Sequence, residues 1–344
     1  MTVDLAAIQE NWRFFKRAAP NAATAAVVKA EAYGLGAARA ATALAQAGAR
    51  VFFTATLGEA LNARQALGDG PQILVLNGPS EQDVALFAPA RIAPVLNSLA
   101  QIKLWAGRGP AALHIDTGMN RLGIGPEELA QAASLLKGSS LVSVMSHLAC
   151  GGDLGHAFNE TQRMRFVDAA SLFPNAPLSL SATAGALMGP NFHFDLIRPG
   201  IGLYGSGGLD AGNPTLAAAA KIEAPILQVR DAAAGETFGY GASFTAPKPM
   251  RAATVAIGYA DGFLRALGGR GYGFFAGAKR PILGRISMDL TIVDVTGCAE
   301  AQPGAMVEFL GPNAPLEEVA QLAGTAPYEI LTTFAGAVRR GGVA

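Results

Sequence analysis

Apolar positions between about residue 23 and residue 205 recur in one rhythm. A short run rich in β-branched residues precedes an Ala- and Leu-rich stretch with helical spacing. The clearest of the predicted helices are Leu57–Leu67, Pro126–Leu136 and Glu160–Phe173, the last capped by Asn159. The alternation favours a (β/α)8 barrel, whereas a doubly wound sheet, the structural alternative, usually has fewer strands. The predicted strands are Ala25–Lys29, Val51–Ala55, Gln72–Asn77, Ile92–Leu96, Ala111–Asp116, Leu141–Ser146, Pro177–Ala182 and Asp195–Arg198.

The pattern changes after Asn213-Pro214, where short alternating runs separated by Gly and Pro replace the helical spacing. These runs predict a mostly antiparallel β domain that ends in a pair of helices, Leu316–Ala323 and Pro327–Phe334. We therefore predict a barrel over residues 6–215 and a β domain over residues 216–344, which residues 1–5 could join. The predicted strands of this domain are Ala224–Val229, Thr237–Phe244, Arg251–Ile257, Arg280–Ile286, Leu290–Val295 and Ala305–Leu310.

Composition narrows the class of protein. Hydrophobic residues make up 51% of the chain and charged residues 15%, which excludes a disordered chain and fits a large buried core. The 26 basic and 26 acidic residues cancel, so the sequence suits a small-molecule enzyme rather than a nucleic-acid-binding protein. Cys150 and Cys298 have neither a CxxC partner nor a metal-ligand spacing, so we expect reduced thiols and no metal site. We see no secretory signal or membrane span and expect a cytoplasmic protein.

Several polar residues stand where a barrel collects its ligand-binding groups, at the carboxyl ends of the strands. Lys29 ends the first predicted strand, Arg121 follows the fifth, and His147, Thr183 and Arg198 end the sixth, seventh and eighth. A lysine at a buried strand end loses hydration unless it is paired or neutral, and the neutral amine is the form that bonds covalently to a carbonyl cofactor. On position alone, a lysine that merely snorkels at the barrel rim is the favoured interpretation of Lys29.

Other candidates are weak when taken singly. The turn Arg198-Pro199-Gly200-Ile201 could hold a phosphate on its backbone N–H groups, or it could be an ordinary turn. In the predicted β domain, aromatic and polar residues flanked by glycine or placed at element ends are common for structural reasons alone. Those noted here are Tyr240, Tyr259, Met288, Asp289 and Tyr328.

Taken together and in this order, the motifs resemble the alanine racemase family, the fold-type III enzymes that use pyridoxal phosphate. The resemblance covers essentially the whole chain and implies a barrel followed by a β domain, in agreement with the hydrophobic pattern. The motifs that carry it are Ala26-Val27-Val28-Lys29-Ala30-Glu31-Ala32-Tyr33-Gly34, Asp116-Thr117-Gly118-Met119-Asn120-Arg121-Leu122-Gly123, Ser146-His147-Leu148-Ala149, Ile197-Arg198-Pro199-Gly200-Ile201, Gly258-Tyr259-Ala260-Asp261-Gly262 and Gly284-Arg285-Ile286-Ser287-Met288-Asp289.

The resemblance implies that L-alanine and D-alanine are interconverted, as a source of D-alanine for peptidoglycan. Lys29 would bind the cofactor covalently and act as one base, and Tyr240 of a second subunit would be the opposing base in a homodimer with shared sites. Arg198 would contact the pyridine nitrogen with support from His147, and Arg121 would reach the cofactor's phenolic oxygen and the substrate carboxylate. The phosphate would be bound by Tyr33, Tyr328, Thr183, Gly200 and Ile201. Met288 would bind the substrate carboxylate, and Tyr259 and Asp289 would line the entry channel.

This sequence departs from the family pattern at two positions in the barrel. Many members carry a carbamylated lysine two residues before the Asp-Thr-Gly-Met motif, where this chain has His114. Another group must then orient Arg121, and His114, an anion and water all remain open. At the seventh strand, Ala182-Thr183-Ala184 replaces the frequent Asn-Ser-Ala, so the hydroxyl is kept and the asparagine is lost.

Three alternative functions are weighed against the racemase. A barrel decarboxylase would need a catalytic cysteine in the β domain, and the turn around Cys298 does not match. A carrier of the cofactor without turnover would lack the β domain with Tyr240 and Met288. A racemase of broader specificity, acting on serine or lysine, is the hardest alternative to exclude.

Overall fold

The computed structural model describes residues 1–335. Contacts divide the chain into two compact units. The barrel unit contains Leu5–Ala32 and Gly36–Leu216, and the β unit contains Met1–Asp4, Tyr33–Leu35 and the described residues from Ala217 onward. The limits 6–215 and 216–344 remain predictions, and they do not set Tyr33–Leu35 apart from the surrounding barrel residues. No helix of the described residues is both long and apolar enough to cross a membrane.

The chain begins with β1 (Thr2–Val3), which belongs to the β unit, and the strands of the barrel unit follow. Each of them is a short, largely buried run, as expected for parallel strands covered on both faces. These strands are β2 (Ala23–Thr24), β3 (Ala26–Val27), β4 (Val51–Thr54), β5 (Gln72–Val75), β6 (Ile92–Leu96), β7 (Ala111–His114), β8 (Leu141–Met145), β9 (Leu178–Ser179) and β10 (Leu196–Ile197).

The parallel strands close into a ring. Strands β3 to β9 lie side by side in chain order, and β10 pairs in parallel with β2, the segment immediately before β3. On the other side of β10, the Arg198 N–H donates to the Ser181 carbonyl over 2.9 Å, and Ala182 pairs with Arg198 in an isolated parallel β-bridge. The eighth strand therefore pairs with the first strand on one side and with the seventh on the other. This closed ring confirms the barrel predicted from the hydrophobic rhythm.

Helices separate most of the barrel strands, and a short 3-10 turn at Pro126–Glu128 precedes the helix after β7. One predicted cap is wrong. His156 caps the helix Ala157–Ala170, because its ring accepts from the Phe158 N–H over 3.1 Å. Asn159 instead lies buried and donates to the Cys150 and Asp153 carbonyls. The helices are α1 (Leu5–Ala18), α2 (Ala37–Ala47), α3 (Leu57–Leu67), α4 (Val84–Phe87), α5 (Leu99–Trp105), α6 (Leu129–Leu135) and α7 (Ala157–Ala170).

The strands of the β unit are β11 (Ala220–Ala232), β12 (Thr237–Phe238), β13 (Phe244–Thr245), β14 (Met250–Val255), β15 (Tyr272–Phe275), β16 (Ala278–Pro281), β17 (Thr291–Asp294) and β18 (Met306–Leu310). Most of them form an antiparallel sheet with the strand order β16-β15-β18-β11-β14-β17, and β1 pairs with β11. A separate small hairpin joins β12 to β13. The helices α8 (Leu316–Ala323) and α9 (Pro327–Ala335) occupy the predicted positions.

Three details of the β unit differ from the prediction. The strand predicted over Arg280–Ile286 lies earlier in the chain, at Ala278–Pro281. The run predicted as one strand over Thr237–Phe244 is a hairpin, because its two ends pair with each other around a 3-10 turn at Tyr240–Ala242. The strand Tyr272–Phe275 was not predicted. Its glycine explains why, since a Cβ at Gly273 would lie 2.4 Å from a methyl of Val307 on the neighbouring strand.

Candidate active site

Lys29 follows the last buried residues of the first barrel strand, and its side chain is only partly exposed. Burial lowers the pKa of Lys29, and the positive charge of Arg121 lowers it further, while Glu59 opposes both effects. The neutral amine is therefore favoured more than in a lysine exposed to water. Among the described residues, Lys29 forms no ion pair within 4 Å.

The backbone after Lys29 turns in an unusual way. The four residues Ala30–Tyr33 have φ between 50° and 57°, and Gly34 follows at 92°. A left-handed turn of non-glycine residues costs about 1 kcal/mol or more for each of them, so other contacts must hold it. The Ala30 N–H donates to the Glu59 carboxylate over 2.9 Å, and the Ala37 N–H donates to the Glu31 carboxylate over 3.1 Å.

Glu59 is a supporting residue that the sequence interpretation missed. Its carboxylate also accepts from the Ala55 N–H over 2.7 Å and completes a capping box with Thr56 at the start of α3. The same side chain thus fixes a helix start and the turn after Lys29. The spacing Thr56-x-x-Glu59 was the available sequence signal, but it predicts only the helix cap.

Arg198 lies 3% exposed at the end of the last barrel strand. Its Nη1 donates to the carbonyl and hydroxyl of Ser179, and its Nη2 donates to the Ser146 carbonyl over 2.7 Å and the Leu180 carbonyl over 3.3 Å. Burial lowers the pKa of Arg198 to about 9, so the guanidinium remains largely charged at neutral pH. Within the described chain, Nε is the one donor of this guanidinium group for which no bond is found.

His147 ends the sixth barrel strand, and a buried glutamine holds the backbone there. Burial and the charges of Arg198 and Arg121 lower the pKa of His147 to about 3, so its ring is neutral. The amide of Gln162 donates to the His147 carbonyl over 3.0 Å and accepts from the Ala149 N–H over 2.7 Å. Gln162 is a second supporting residue that the sequence interpretation missed.

Arg121 lies on a loop whose two ends are joined by backbone hydrogen bonds. The Ile124 N–H donates to the His114 carbonyl over 2.8 Å, and the Asp116 N–H donates to the Ile124 carbonyl over 3.0 Å. The side chain of Arg121 is exposed, and within residues 1–335 it forms no hydrogen bond or ion pair. Its charge lowers the pKa values of Lys29 and His147, so these groups share one neighbourhood.

Thr183 fixes the turn after the last strand. Its Oγ1 accepts from the Gly200 N–H over 2.9 Å and from the Gly202 N–H over 3.1 Å. Gly202 has no room for a side chain, since a Cβ there would lie 2.4 Å from the Phe15 ring. Two donors use the acceptor positions of the hydroxyl, so its own proton is left for an acceptor from outside this turn. Ile201 is buried and begins the 3-10 turn Ile201–Tyr204.

In the β unit, Tyr33 and Tyr328 lie together, with ring centroids 6.0 Å apart. Burial, with a smaller contribution from Tyr328, raises the pKa of Tyr33 above its ordinary range, and burial also raises the pKa of Tyr328. Both hydroxyls therefore stay protonated near neutral pH and can donate hydrogen bonds to an anion.

The remaining candidates also belong to the β unit. The Tyr259 N–H donates to the Ser287 carbonyl, and a Cβ at Gly258 would lie 2.3 Å from the Met288 carbonyl, so Tyr259 is held against Met288 and Asp289. Tyr240 lies on the hairpin turn and is 70% exposed, while Met288 is 52% exposed. Large side chains with so much exposed surface suit contact with another molecule.

The groups on the barrel rim fit pyridoxal phosphate. Lys29 would supply the amine, the Thr183 hydroxyl would have a proton for a phosphate oxygen, and the Arg198 Nε would be placed to contact a ring nitrogen. In the described residues there is no group of three His, Cys, Asp or Glu side chains that could hold a metal ion. The amine, hydroxyl and guanidinium groups named above are donors that suit an organic anion.

The fold and these groups define a barrel enzyme with a strand-end lysine, joined to an antiparallel β unit. Residues 3–207 match the family model "Alanine racemase, N-terminal domain", and residues 219–341 match "Alanine racemase, C-terminal domain". The chain belongs to the alanine racemase family, and it is an amino-acid isomerase. This relationship does not support the decarboxylase or carrier alternatives.

Individual relatives agree with the family models. The chain is 45% identical to an alanine racemase of Rhodospirillum rubrum, over 96% of this chain and 92% of the relative. It is 42% identical to a catabolic alanine racemase of Agrobacterium fabrum, over 99% and 91%. The alanine racemase of Bartonella henselae, solved with covalently bound pyridoxal phosphate, matches with a TM-score of 0.92 at 39% identity over 97% and 96% of the two chains. The biosynthetic alanine racemase of Pseudomonas aeruginosa matches with a TM-score of 0.91 at 36% identity over the same shares.

Proposed function

We propose that this chain interconverts L-alanine and D-alanine with pyridoxal phosphate bound covalently to Lys29. The observation that carries the proposal is the lysine itself, which follows a barrel strand, lies within reach of the Arg121 charge, and has a lowered pKa that favours the neutral amine. The Bartonella relative holds the same cofactor covalently. When bound, pyridoxal phosphate withdraws electrons from the substrate Cα, so the Cα–H becomes acidic.

The protein's own groups would bind the cofactor at its two ends. The phosphate would be bound at one end, and Arg198, supported by His147, would donate to the ring nitrogen at the other. Because Arg198 stays charged, it would not give up its proton to the ring. The groups assigned to the phosphate are Tyr33, Tyr328, Thr183, Gly200 and Ile201.

Racemisation needs a proton removed from one face of Cα and returned on the other, which requires two groups. We assign Lys29 to the D-side and Tyr240 to the L-side. Arg121 and the Met288 N–H would hold the substrate carboxylate, which fixes Cα between the two bases. Tyr259 and Asp289 would line the entry to the site.

We propose that Tyr240 and Met288 act in the barrel of a second copy of the chain. The exposure of both side chains supports this assignment, because a homodimer would cover them. The two active sites of such a dimer would each contain residues of both subunits.

The first test is the visible spectrum and turnover of the purified protein. Wild type incubated with pyridoxal phosphate and then freed of unbound cofactor should be yellow and racemise alanine, and a protein that is colourless after this step would refute the cofactor assignment. Turnover of serine and lysine should be much weaker, and comparable rates would favour the broader racemase instead.

The second test replaces Tyr240 by phenylalanine. The L-to-D rate should fall by about 100-fold or more, as expected when a general base is lost, while the yellow band persists. An unchanged rate would refute the assignment of Tyr240.

A third test mixes subunits of the Tyr240→Phe variant with those of a Lys29 variant, and it asks whether each active site contains residues of both subunits. Lys29→Ala and Tyr240→Phe proteins, dissociated and reassociated together, should recover up to about one quarter of the wild-type activity, since half of the dimers then hold one intact site. No recovery in dimers shown to be mixed would mean that each chain builds its own site.

We also propose that the enzyme works in the cytoplasm and supplies D-alanine for peptidoglycan. The two free thiols, Cys150 and Cys298, fit a reducing compartment. Deleting the gene from its host should make growth depend on added D-alanine. Growth that instead fails only with D-alanine as carbon source would indicate a catabolic role, which is the role named for the Agrobacterium relative.

A further inference from the structure

Asn97 and His114 form a buried pair behind the loop that carries Arg121. The Asn97 amide nitrogen donates to the Leu76 carbonyl over 3.0 Å and to the Val95 carbonyl over 2.9 Å. Carbonyl oxygens only accept, so these contacts fix which end of the amide is nitrogen. The Asn97 Oδ1 must then be the atom that lies 2.8 Å from His114 Nδ1.

This contact determines the tautomer of His114. Because Asn97 Oδ1 can only accept, His114 Nδ1 must carry the proton. Burial, and then the charge of Arg198, lower the pKa of His114 to about 4; Arg121 lowers it less, and Asp116 opposes them. The ring is therefore neutral at physiological pH, and its Nε2 is an unprotonated acceptor. In residues 1–335 no hydrogen bond uses this atom, although the residue is only 9% exposed.

Arg121 is a nearby donor for which no partner is found among residues 1–335. The Ile124 N–H donates to the His114 carbonyl, so the loop that carries Arg121 returns to His114 itself. The guanidinium charge acts on the His114 ring, and no acceptor for it is found in the part of the chain that the structure describes. We propose that His114 positions Arg121 by accepting a hydrogen bond from its guanidinium at Nε2.

A neutral partner has a chemical consequence for the site. A carboxylate or carbamate would neutralise most of the Arg121 charge, whereas an imidazole orients the guanidinium and leaves it fully positive. Arg121 then keeps its charge for an anionic group such as a carboxylate.

Histidine tautomers can be measured directly, without turnover. The chain has four histidines, so solid-state NMR of protein labelled with 15N at histidine should resolve each ring. We expect His114 as Nδ1–H, with Nε2 unprotonated. His193 and His156 are internal controls of the opposite tautomer, since His193 Nε2 donates to the Ala186 carbonyl and His156 Nδ1 accepts from the Phe158 N–H. A protonated Nε2 at His114 would overturn the proposal.

The contact with Arg121 is tested in the same spectrum. Arg121→Met should shift the His114 Nε2 resonance and leave the His193 resonances in place. An unmoved His114 Nε2 would overturn the proposal in favour of water or an anion as the partner of Arg121. Both NMR measurements hold even if the protein has no racemase activity.

A kinetic test rests on the proposed function and separates positioning from simple packing. His114→Gln retains an acceptor oxygen, whereas His114→Leu has none. We expect KM for L-alanine to rise about tenfold in the leucine variant, the size of one lost hydrogen bond to a charged group, with a much smaller rise in the glutamine variant. Equal KM values in two folded variants would overturn the positioning role. An inactive wild type would instead refute the proposed function, and the NMR result would still decide the contact.

Discussion

Replacing Thr183 by valine removes one oxygen atom that two buried backbone N–H groups share. Thr183 is 1% exposed, and its hydroxyl accepts from Gly200 and Gly202 in the turn assigned to the phosphate. Valine has nearly the same shape as threonine, so the substitution exchanges an acceptor for a methyl group with little change in volume. Its effect should therefore report on these two hydrogen bonds.

The magnitude follows from what the two donors lose. A buried donor without a partner costs about 1 to 3 kcal/mol, so the two donors together should lower the free energy of unfolding by about 2 to 6 kcal/mol. The new methyl would also lie near the Gly200 nitrogen, which is 2.9 Å from the oxygen it replaces. The turn cannot move freely away, because Gly202 already packs against Phe15 without space for a Cβ.

Urea denaturation of the protein without cofactor measures this change in the barrel unit alone. The two tryptophans of the sequence, Trp12 and Trp105, both belong to that unit, so their fluorescence follows its unfolding. With a denaturant slope of about 2 to 3 kcal/mol per molar urea, the midpoint should fall by about 1 to 3 M at constant protein concentration.

Thr183→Ser is the matched control, because it keeps the oxygen and removes only the methyl. Its midpoint should fall by much less than that of the valine variant, since a buried methylene contributes about 1 kcal/mol. Pyridoxal phosphate should also stabilise the serine variant more than the valine variant, while pyridoxal, which lacks the phosphate, should not distinguish them. Equal midpoints for serine and valine would refute the role given to the two hydrogen bonds.

Two further predictions concern buried polar groups of the barrel unit. The pKa values of His114 and His147, lowered to about 4 and about 3, lie below the value of about 6.5 for an unfolded histidine. Their contribution to stability is therefore complete above pH 6.5 and is lost as pH falls toward 4 and 3, by up to about 1.4 kcal/mol per pH unit for each ring. His147→Asn should make the fall of the urea midpoint between pH 6.5 and 5 shallower, and an equally steep profile would contradict this. Gln162→Leu should lower the free energy of unfolding by about 2 to 4 kcal/mol, because the Ala149 N–H and the His147 carbonyl lose their partner. The same variant should also have a lower kcat/KM for alanine. A free energy of unfolding and a kcat/KM equal to those of wild type would show that Gln162 is dispensable.

The barrel strands could be predicted because their burial leaves a direct mark on the sequence. A strand covered on both faces is a continuous apolar run, and polar residues stand only where the run reaches the rim. Lys29 and Arg198 were found in this way. The hairpin around Tyr240 was not resolved, because its two short strands continue one alternation. Its turn depends on Gly239 and Gly241, whose φ values are 71° and 73°.

The left-handed turn after Lys29 could not be predicted from its own residues. Ala30–Tyr33 has no local signal for φ values of 50° to 57°, since alanine and glutamate favour the right-handed helix. Its conformation depends on the Glu59 carboxylate, which is 29 positions away along the chain. Only the packed barrel brings these groups together.

The supporting polar residues share a property that bears on the chemistry of the site. Arg198 is held by carbonyl and hydroxyl oxygens, Gln162 is an amide, and Asn97 fixes a neutral His114. In the described residues, neither Arg121 nor Arg198 forms an ion pair with a carboxylate. The two arginines therefore keep their positive charges. Holding these charges without a counter-ion is unfavourable until an anion binds. The phosphate of the cofactor and the carboxylate of the substrate would supply this counter-charge. Neutral polar residues that orient the arginines would thus leave the arginine charges available for these ligands.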